Sequence, residues 1–299
     1  MTDAAAPRLF KVPSLGAGGF HDLAYAQWGN GHEKERVAVC LHGLARNGRD
    51  FDAVARDLAR QYRVACPDLP GRGRSDWLSN PALYAPPTYL ADMAALIARL
   101  GVTQLDWIGT SLGGLIGMML AAQPGTPIRR LVVNDVGPLL PAAGLNRIGG
   151  YISADPAFDG LDALEAYLRE IYAPFGALSD AQWRHLAEHS TRRDAEGRLR
   201  LHFDPGIGAA YATALTEDVD LWAVWDAITC PVLVLRGAES DILNRDTAQE
   251  MTRRGPGAKV VEVPGVGHAP ALMDPAQIAL VRAFLTEADP SARPAYTTL

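Results

Sequence analysis

The sequence of 299 residues lacks the features that nucleic-acid-binding proteins and membrane-spanning proteins require. It carries 28 lysines and arginines against 34 aspartates and glutamates, a formal net charge of −6. That balance offers no basic field for the phosphate backbone of a nucleic acid. No apolar run approaches the roughly eighteen residues that a membrane-spanning helix needs. We therefore expect neither a nucleic-acid partner nor a membrane partner.

Cysteine is also scarce. The three cysteines, Cys40, Cys66 and Cys230, are an odd number, and each lies in or beside an apolar run. This pattern favours buried free thiols over a disulfide framework and is typical of a reducing compartment. The first residues hold Asp3 and no long apolar segment before Lys11, which matches a signal peptide poorly. The expected location is the cytoplasm.

Short apolar runs rich in β-branched residues alternate with helical patterns over most of the chain. The runs lie at 22–29, 36–43, 62–69, 104–110, 128–138, 230–237 and 258–265. This alternation predicts an α/β fold with a mostly parallel central sheet flanked by helices. A closing helix is expected to have Asp274 as its N-cap and Pro275 at its first position.

The stretch at 139–226 interrupts the alternation. It shows helical patterns, no convincing buried strand, and ten of the 22 aromatic residues of the chain. We predict an α/β core made of residues 1–138 and 227–299, with 139–226 inserted as a helical cap. The aromatics of this segment either fill its own small core or line an apolar pocket.

Ser111 stands between Gly109 and Gly113, where a strand pattern changes to a helical one. A hydroxyl at this junction can cap the helix or act as a nucleophile on a sharp strand-to-helix turn. A nucleophilic serine needs a histidine to take its proton and an acid to orient that histidine. The rest of the chain must therefore supply both groups.

His268 follows the last strand pattern in a glycine-flanked loop, and Asp241 lies just past the strand before it. The order Ser111, Asp241, His268 is the order found in nucleophile-elbow hydrolases. We predict Ser111 as the nucleophile, His268 as the base and Asp241 as the acid. Asp135, which lies within the strand pattern at 128–138, is the rival acid; its alternative role is to close that strand.

The oxyanion formed by attack on a carbonyl also needs hydrogen-bond donors. One predicted donor is the backbone N–H of Leu112, the residue after the nucleophile. The second is the backbone N–H of Leu44, in the loop after the strand pattern at 36–43, where Gly43 permits close approach of the backbone.

Together these pieces resemble the α/β-hydrolase superfamily, in the lid-bearing serine hydrolase branch with its esterases and enol-lactonases. The matching pieces are HG at 42–43, PDLPGRGRSD at 67–76, GTSLGG at 109–114, RGAESDIL at 236–243 and GVGHAP at 265–270. They follow the order of the family, and 139–226 falls where the family has its helical cap. The resemblance implies an α/β-hydrolase fold, a Ser-Asp-His triad, a two-amide oxyanion hole and no cofactor.

Departures from the family patterns narrow the branch. A serine nucleophile argues against haloalkane dehalogenases and epoxide hydrolases, which use aspartate. The loop HGLARN at 42–47 lacks the HGGG run of hormone-sensitive-lipase-like esterases. It also lacks the HGxGPG loop typical of hydrolases that cleave aromatic ring-fission products. Some bacterial relatives attack short polyesters or hydroxyalkanoate oligomers.

The sequence thus predicts a serine hydrolase that cleaves a small-molecule carboxylic ester through an acyl-enzyme. A lactone, a thioester or a short polyester are variants of that substrate. Carbon–carbon bond or enol-lactone hydrolysis by the same triad is a second hypothesis, and a non-catalytic ligand-binding protein is a third. The sequence does not indicate an oligomeric state.

Two further groups of residues have competing interpretations. His185 and His189 stand four residues apart and can present two metal ligands on one helix face. Without a third ligand, a solvated face is favoured, and we expect no metal. Arg46 and Arg147 can recognise a substrate carboxylate, although an ordinary surface arginine is the commoner role.

Overall fold

The computed structural model describes residues 6–29, 36–152, 154–211 and 215–287; the outer ends of the predicted core, 1–5 and 288–299, lie outside the described residues. The described strands are β1 (Arg8–Gly16), β2 (Gly19–Trp28), β3 (Val37–Leu41), β4 (Arg63–Pro67), β5 (Leu105–Thr110), β6 (Ile128–Asn134), β7 (Leu139–Leu140), β8 (Ala157–Phe158), β9 (Thr191–Arg193), β10 (Leu199–Leu201), β11 (Val219–Asp220), β12 (Val232–Gly237) and β13 (Lys259–Val263).

The helices alternate with these strands. They are α1 (Asp52–Leu58), α2 (Pro86–Leu100), α3 (Leu112–Ala121), α4 (Ala142–Ile152), α5 (Leu161–Ile171), α6 (Asp180–His189), α7 (Trp222–Asp226), α8 (Arg245–Met251) and α9 (Pro275–Thr286). Shorter 3₁₀ turns lie at Gly48–Phe51, Pro81–Leu83, Ala173–Phe175 and Pro205–Tyr211. Within the described ranges, no helix combines the length and apolarity needed to cross a lipid bilayer.

Eight strands form the central sheet, in the order β1-β2-β4-β3-β5-β6-β12-β13. The pairs β1–β2 and β2–β4 are antiparallel, and the five remaining pairs are parallel. The predicted mostly parallel sheet is therefore confirmed. The parallel part of the sheet includes β3, β5, β6, β12 and β13, and the carboxyl ends of these strands lie at one edge. That edge is where α/β folds bind their ligands.

The sheet is covered on both faces, which explains the continuous apolar runs of its strands. In β3, Val39 and Leu41 join the core on the side of α2 and α3. Ala38 and Cys40 join the core on the side of α1 and α9. The three cysteines are buried and free, as predicted.

The N-cap of α9 was predicted from the sequence, whereas the edge strand β1 was not. The Asp274 carboxylate accepts hydrogen bonds from the first N–H groups of α9, confirming the predicted cap. Strand β1 is not among the predicted strands. It lies at the edge of the sheet, contains Pro13, and buries only Val12 and Ser14. An edge strand of this kind lacks the apolar run by which strands are recognised.

None of the described residues of 139–226 adds a strand to the central sheet. The segment contains α4 to α7 and short strands that pair among themselves. Its aromatics pack together: the rings of Tyr172 and Phe175 stack with centroids 4.7 Å apart, and Tyr151 meets Tyr172 edge-on. The segment also touches the loop that carries His268, since the N–H of Gly267 donates to the carbonyl of Pro174 over 2.7 Å.

Candidate active site

Ser111 occupies a turn between β5 and α3 in an unusual backbone conformation. Its φ is 53° and its ψ is −116°, a region that costs a non-glycine residue about 1–3 kcal/mol. The backbone N–H of Ser111 donates to the carbonyl of Asn134 in β6, which fixes the turn against the sheet. The hydroxyl makes no capping hydrogen bond to α3. Instead, it lies 2.9 Å from Nε2 of His268.

The two glycines around Ser111 make this turn sterically possible. A Cβ on Gly113 would overlap the carbonyl oxygen of Leu41, and a Cβ on Gly109 would overlap the carbonyl of Gly113. The start of α3 is thus packed directly on the end of β3. Only glycine allows this close approach of backbone to backbone.

His268 lies in the loop between β13 and α9, with its ring almost fully buried. Its Nδ1 lies 2.8 Å from Oδ2 of Asp135, and its Nε2 faces Ser111. Because a carboxylate oxygen only accepts hydrogen bonds, Nδ1 carries the hydrogen and Nε2 is left as the acceptor for the serine hydroxyl.

Asp135 directly follows β6 and is fully buried. Its backbone N–H donates to the carbonyl of Leu235 in β12 over 2.8 Å. Its Oδ1 accepts the N–H of Gly237 over 2.7 Å, and its Oδ2 accepts the hydroxyl of Ser240 over 2.6 Å. These donors replace the water that burial removes, and they aim the free lone pair of Oδ2 at His268.

The prediction that Asp241 bonds to His268 is wrong. Asp241 lies four residues beyond the end of β12, and its carboxylate forms a bidentate ion pair with Arg147 of α4, at 2.5 and 2.8 Å. Burial opposes ionisation of Asp241, but the hydrogen bond and charge of Arg147 hold its pKa below the ordinary value. The residue that meets His268 is the rival, Asp135, because it sits at the end of β6 itself, beside β5.

The predicted oxyanion donors belong to two segments that meet at Ser111. Leu112 is the first residue of α3. Leu41 pairs with Gly109 across β3 and β5, so the loop after β3 lies against the turn. A Cβ on Gly43 would be 3.6 Å from Cβ of Ser111. Leu44 follows Gly43 directly, so its position agrees with the prediction, while its role as a donor stays a prediction.

Two side chains that the site prediction leaves out hold these loops in place. The buried Arg72 donates from Nε to the carbonyl of Leu44 over 2.9 Å and from Nη1 to the carbonyl of Pro70. Ser240 holds Asp135, as described above, and also accepts the N–H of Leu243. Arg72 meets Leu44, and Ser240 meets Asp135, across long stretches of the chain, so no local spacing reveals these two contacts.

His42 has both ring nitrogens committed to backbone groups. Its Nε2 accepts the N–H of Leu69 over 2.9 Å, and its Nδ1–H donates to the carbonyl of Gly43 over 2.7 Å. A second proton on the ring would lie on Nε2, where it would point at the Leu69 N–H and break that hydrogen bond. Burial removes the ring from water and lowers the pKa of His42 to about 3.

His42 should therefore make the fold sensitive to mild acid. Below the unfolded pKa of 6.5 the unfolded chain binds a proton that the folded chain excludes. Stability is lost as the pH falls from 6.5 toward 3, by about 1.4 kcal/mol per pH unit from this group. Urea unfolding at about pH 6.5 and about pH 5 should show wild type losing about 2 kcal/mol more than His42→Gln. Equal losses in both proteins would contradict this assignment.

The comparisons with known proteins identify a family for the chain. A profile of the alpha/beta hydrolase family matches residues 38–280. The chain is 46% identical over 294 residues to a 3-hydroxybutyrate-oligomer hydrolase of Cupriavidus necator, covering 95% of this chain and all of that protein. It is 28% identical to a 2-(acetamidomethylene)succinate hydrolase of Mesorhizobium japonicum, over 78% of this chain and 81% of the relative. The crystal structure of an alpha/beta hydrolase from Novosphingobium aromaticivorans superposes with a TM-score of 0.83 at 36% identity, covering 95% and 99% of the two chains.

Proposed function

Because the chain belongs to the alpha/beta hydrolase family, we propose that it hydrolyses carboxylic esters with Ser111 as nucleophile, His268 as base and Asp135 as acid. The observation that carries this proposal is the continuous hydrogen-bonded line through the three side chains. Asp135 Oδ2 lies 2.8 Å from Nδ1 of His268, and Nε2 of that ring lies 2.9 Å from the Ser111 hydroxyl.

The reaction follows from this line. Nε2 of His268 takes the proton of Ser111 as the serine oxygen attacks the ester carbonyl, and Asp135 stabilises the imidazolium that forms. The imidazolium then donates its proton to the departing alcohol, which leaves an acyl group on Ser111. A water molecule, activated by His268 in the same way, hydrolyses the acyl-enzyme and restores the serine.

The negative oxygen of each tetrahedral intermediate needs donors that are fixed beforehand. We assign this role to the N–H groups of Leu112 and Leu44. Leu112 opens the ten-residue helix α3, whose N-terminus adds a positive dipole end. Arg72 supports the second donor, because it holds the carbonyl of Leu44 and so restricts the orientation of that loop.

The proposed substrates are short oligomers of 3-hydroxybutyrate. The support is the identity of 46% to a hydrolase of these oligomers, which extends over almost the whole of both chains. Residues 139–226 would form the cap over the substrate. In favour of this, Phe175 shares a small cavity of about 30 Å³ with Gly43 and Thr110, the neighbours of Leu44 and Ser111.

A substrate panel tests the proposed function. The dimer and trimer of 3-hydroxybutyrate, a p-nitrophenyl acyl ester and an enol-lactone are incubated with the protein, and released acid is titrated at constant pH. We expect kcat/KM for the trimer to exceed that for the enol-lactone by about tenfold or more, because only the preferred acyl group fills the cap. Preferential turnover of the enol-lactone would favour the alternative function, and no turnover of any ester would refute the proposal.

A further inference from the structure

A second cluster of chemically active side chains lies away from the Ser111–His268–Asp135 line. His185 and His189 are one turn apart on α6, and their rings meet edge-on with centroids 4.5 Å apart. Asp52, the first residue of α1, faces them: its Oδ2 lies 3.5 Å from Nε2 of His185. The structure thus supplies the third ligand whose absence from the sequence pattern argued against a metal.

We propose that Asp52, His185 and His189 form a binding site for a divalent transition-metal ion such as Zn²⁺ or Ni²⁺. One potential ligand atom from each residue lies within 4.8 Å of the other two. In a tetrahedral zinc site with bonds of about 2.0–2.2 Å, ligand atoms stand about 3.3–3.6 Å apart. Small side-chain rotations therefore suffice to close the site. Two imidazoles and a carboxylate suit these ions.

The site can be reached from solvent. His189 borders a cavity of about 580 Å³ that is also lined by Asn47, His202 and the exposed Glu188. The cavity leaves room for water to complete the coordination of the ion. A structural zinc site is normally closed by four protein ligands. Three ligands beside a cavity with room for water describe an exchangeable site instead.

Arg49 is the group with which the metal ion competes. Its guanidinium donates to both oxygens of Asp52, with Nη2 2.5 Å from Oδ2. The Arg49 side chain is 24% exposed and borders the same cavity, so it can turn away from the carboxylate. Nε2 of His185 also lies 3.1 Å from the Arg49 carbonyl, and the tautomer with hydrogen on Nδ1 frees that nitrogen for the ion. The strength of the ion pair between Arg49 and Asp52 therefore determines the affinity of the site for the metal ion.

A bound ion would join two parts of the chain. His185 and His189 belong to the segment 139–226, whereas Asp52 belongs to the core helix α1. These two parts of the chain are already in contact, because the Asn47 side chain donates to the carbonyl of His189 over 2.8 Å. The metal would add bonds between the same two parts of the chain. It would raise Tm because it binds only the folded arrangement.

Zinc alone, added to the full chain and followed by calorimetric titration and thermal unfolding, tests the site. We expect one equivalent to bind and to raise Tm, with EDTA reversing the shift. His185→Gln/His189→Gln should weaken binding by at least about a hundredfold and abolish the shift. Arg49→Gln should strengthen binding by about tenfold, because the competing cation is gone.

His202→Gln is the matched control, since His202 lines the same cavity but lies outside the three-residue cluster. Its affinity for zinc should equal that of wild type, as should that of His268→Gln. No binding to wild type would overturn the proposal. So would zinc affinity that persists in the double variant, or that disappears in His268→Gln, because the ion would then belong to the catalytic histidine.

Discussion

Ser111→Ala should lower kcat for a p-nitrophenyl acyl ester by at least about 10⁴-fold. The Ser111 oxygen is the atom that His268 is placed to deprotonate, and alanine offers nothing in its place. The proposed N–H donors of Leu44 and Leu112 would still polarise the carbonyl for attack by water, so a small residual rate is expected. Initial rates at saturating ester, measured at equal protein concentration, give the comparison.

Labelling with a fluorophosphonate separates loss of the nucleophile from loss of the fold. Wild type should be labelled at Ser111, and Ser111→Ala should not be labelled at all. The variant should unfold at a Tm within a few degrees of wild type, because the hydroxyl makes no capping bond that the fold depends on. Equal labelling of the variant, or an ester rate within about tenfold of wild type, would remove Ser111 from the mechanism.

The sequence predicted the sheet well because its parallel strands are buried on both faces. Val39 and Cys40 lie on opposite sides of β3, and both are fully buried. Such strands appear in the sequence as unbroken apolar runs. Ser111 and His268 were predicted from a different signal, since each has glycines close by in a segment that follows a strand.

The acid could not be predicted in this way. Asp135 and Asp241 both follow strands that end at the same edge of the sheet, so chain order and distance from a strand end admit either residue. What separates them is the partner of each carboxylate. Arg147, from α4, holds Asp241, while Ser240 and the N–H of Gly237 hold Asp135. These partners lie in other parts of the chain, and no local pattern shows that they meet.

The third member of the His185–His189 cluster illustrates the same limit. The two histidines are recognisable as a pair because a helix brings positions four apart onto one face. Asp52 lies far earlier in the chain, on a different element, and meets them only because α6 packs against the 3₁₀ turn at Gly48–Phe51, which leads into α1. Spacing reveals ligands within one helix, whereas ligands on separate elements need the packing of the fold.

Asp135→Asn should lower kcat for the same ester by about 10³- to 10⁴-fold. The amide introduced by this substitution can present its NH₂ group to the ring and thereby favour the tautomer of His268 with hydrogen on Nε2. That tautomer cannot accept the proton of Ser111, and the imidazolium loses the charge that stabilises it. The N–H of Gly237 and the hydroxyl of Ser240, which hold the carboxylate of Asp135, allow the amide to keep a similar position.

Asp241→Asn is the matched control, since it makes the same chemical change in the carboxylate that the sequence predicted as the acid. It breaks the charge balance of a half-exposed ion pair with Arg147, and such pairs contribute about 0–1 kcal/mol. We expect kcat within about threefold of wild type. The two variants thus discriminate between the acids without depending on the absolute rate of either. If Asp241→Asn loses the rate and Asp135→Asn keeps it, Asp241 must replace Asp135 at His268 in the working enzyme. That result would require the loop after β12 to release Arg147 before the reaction.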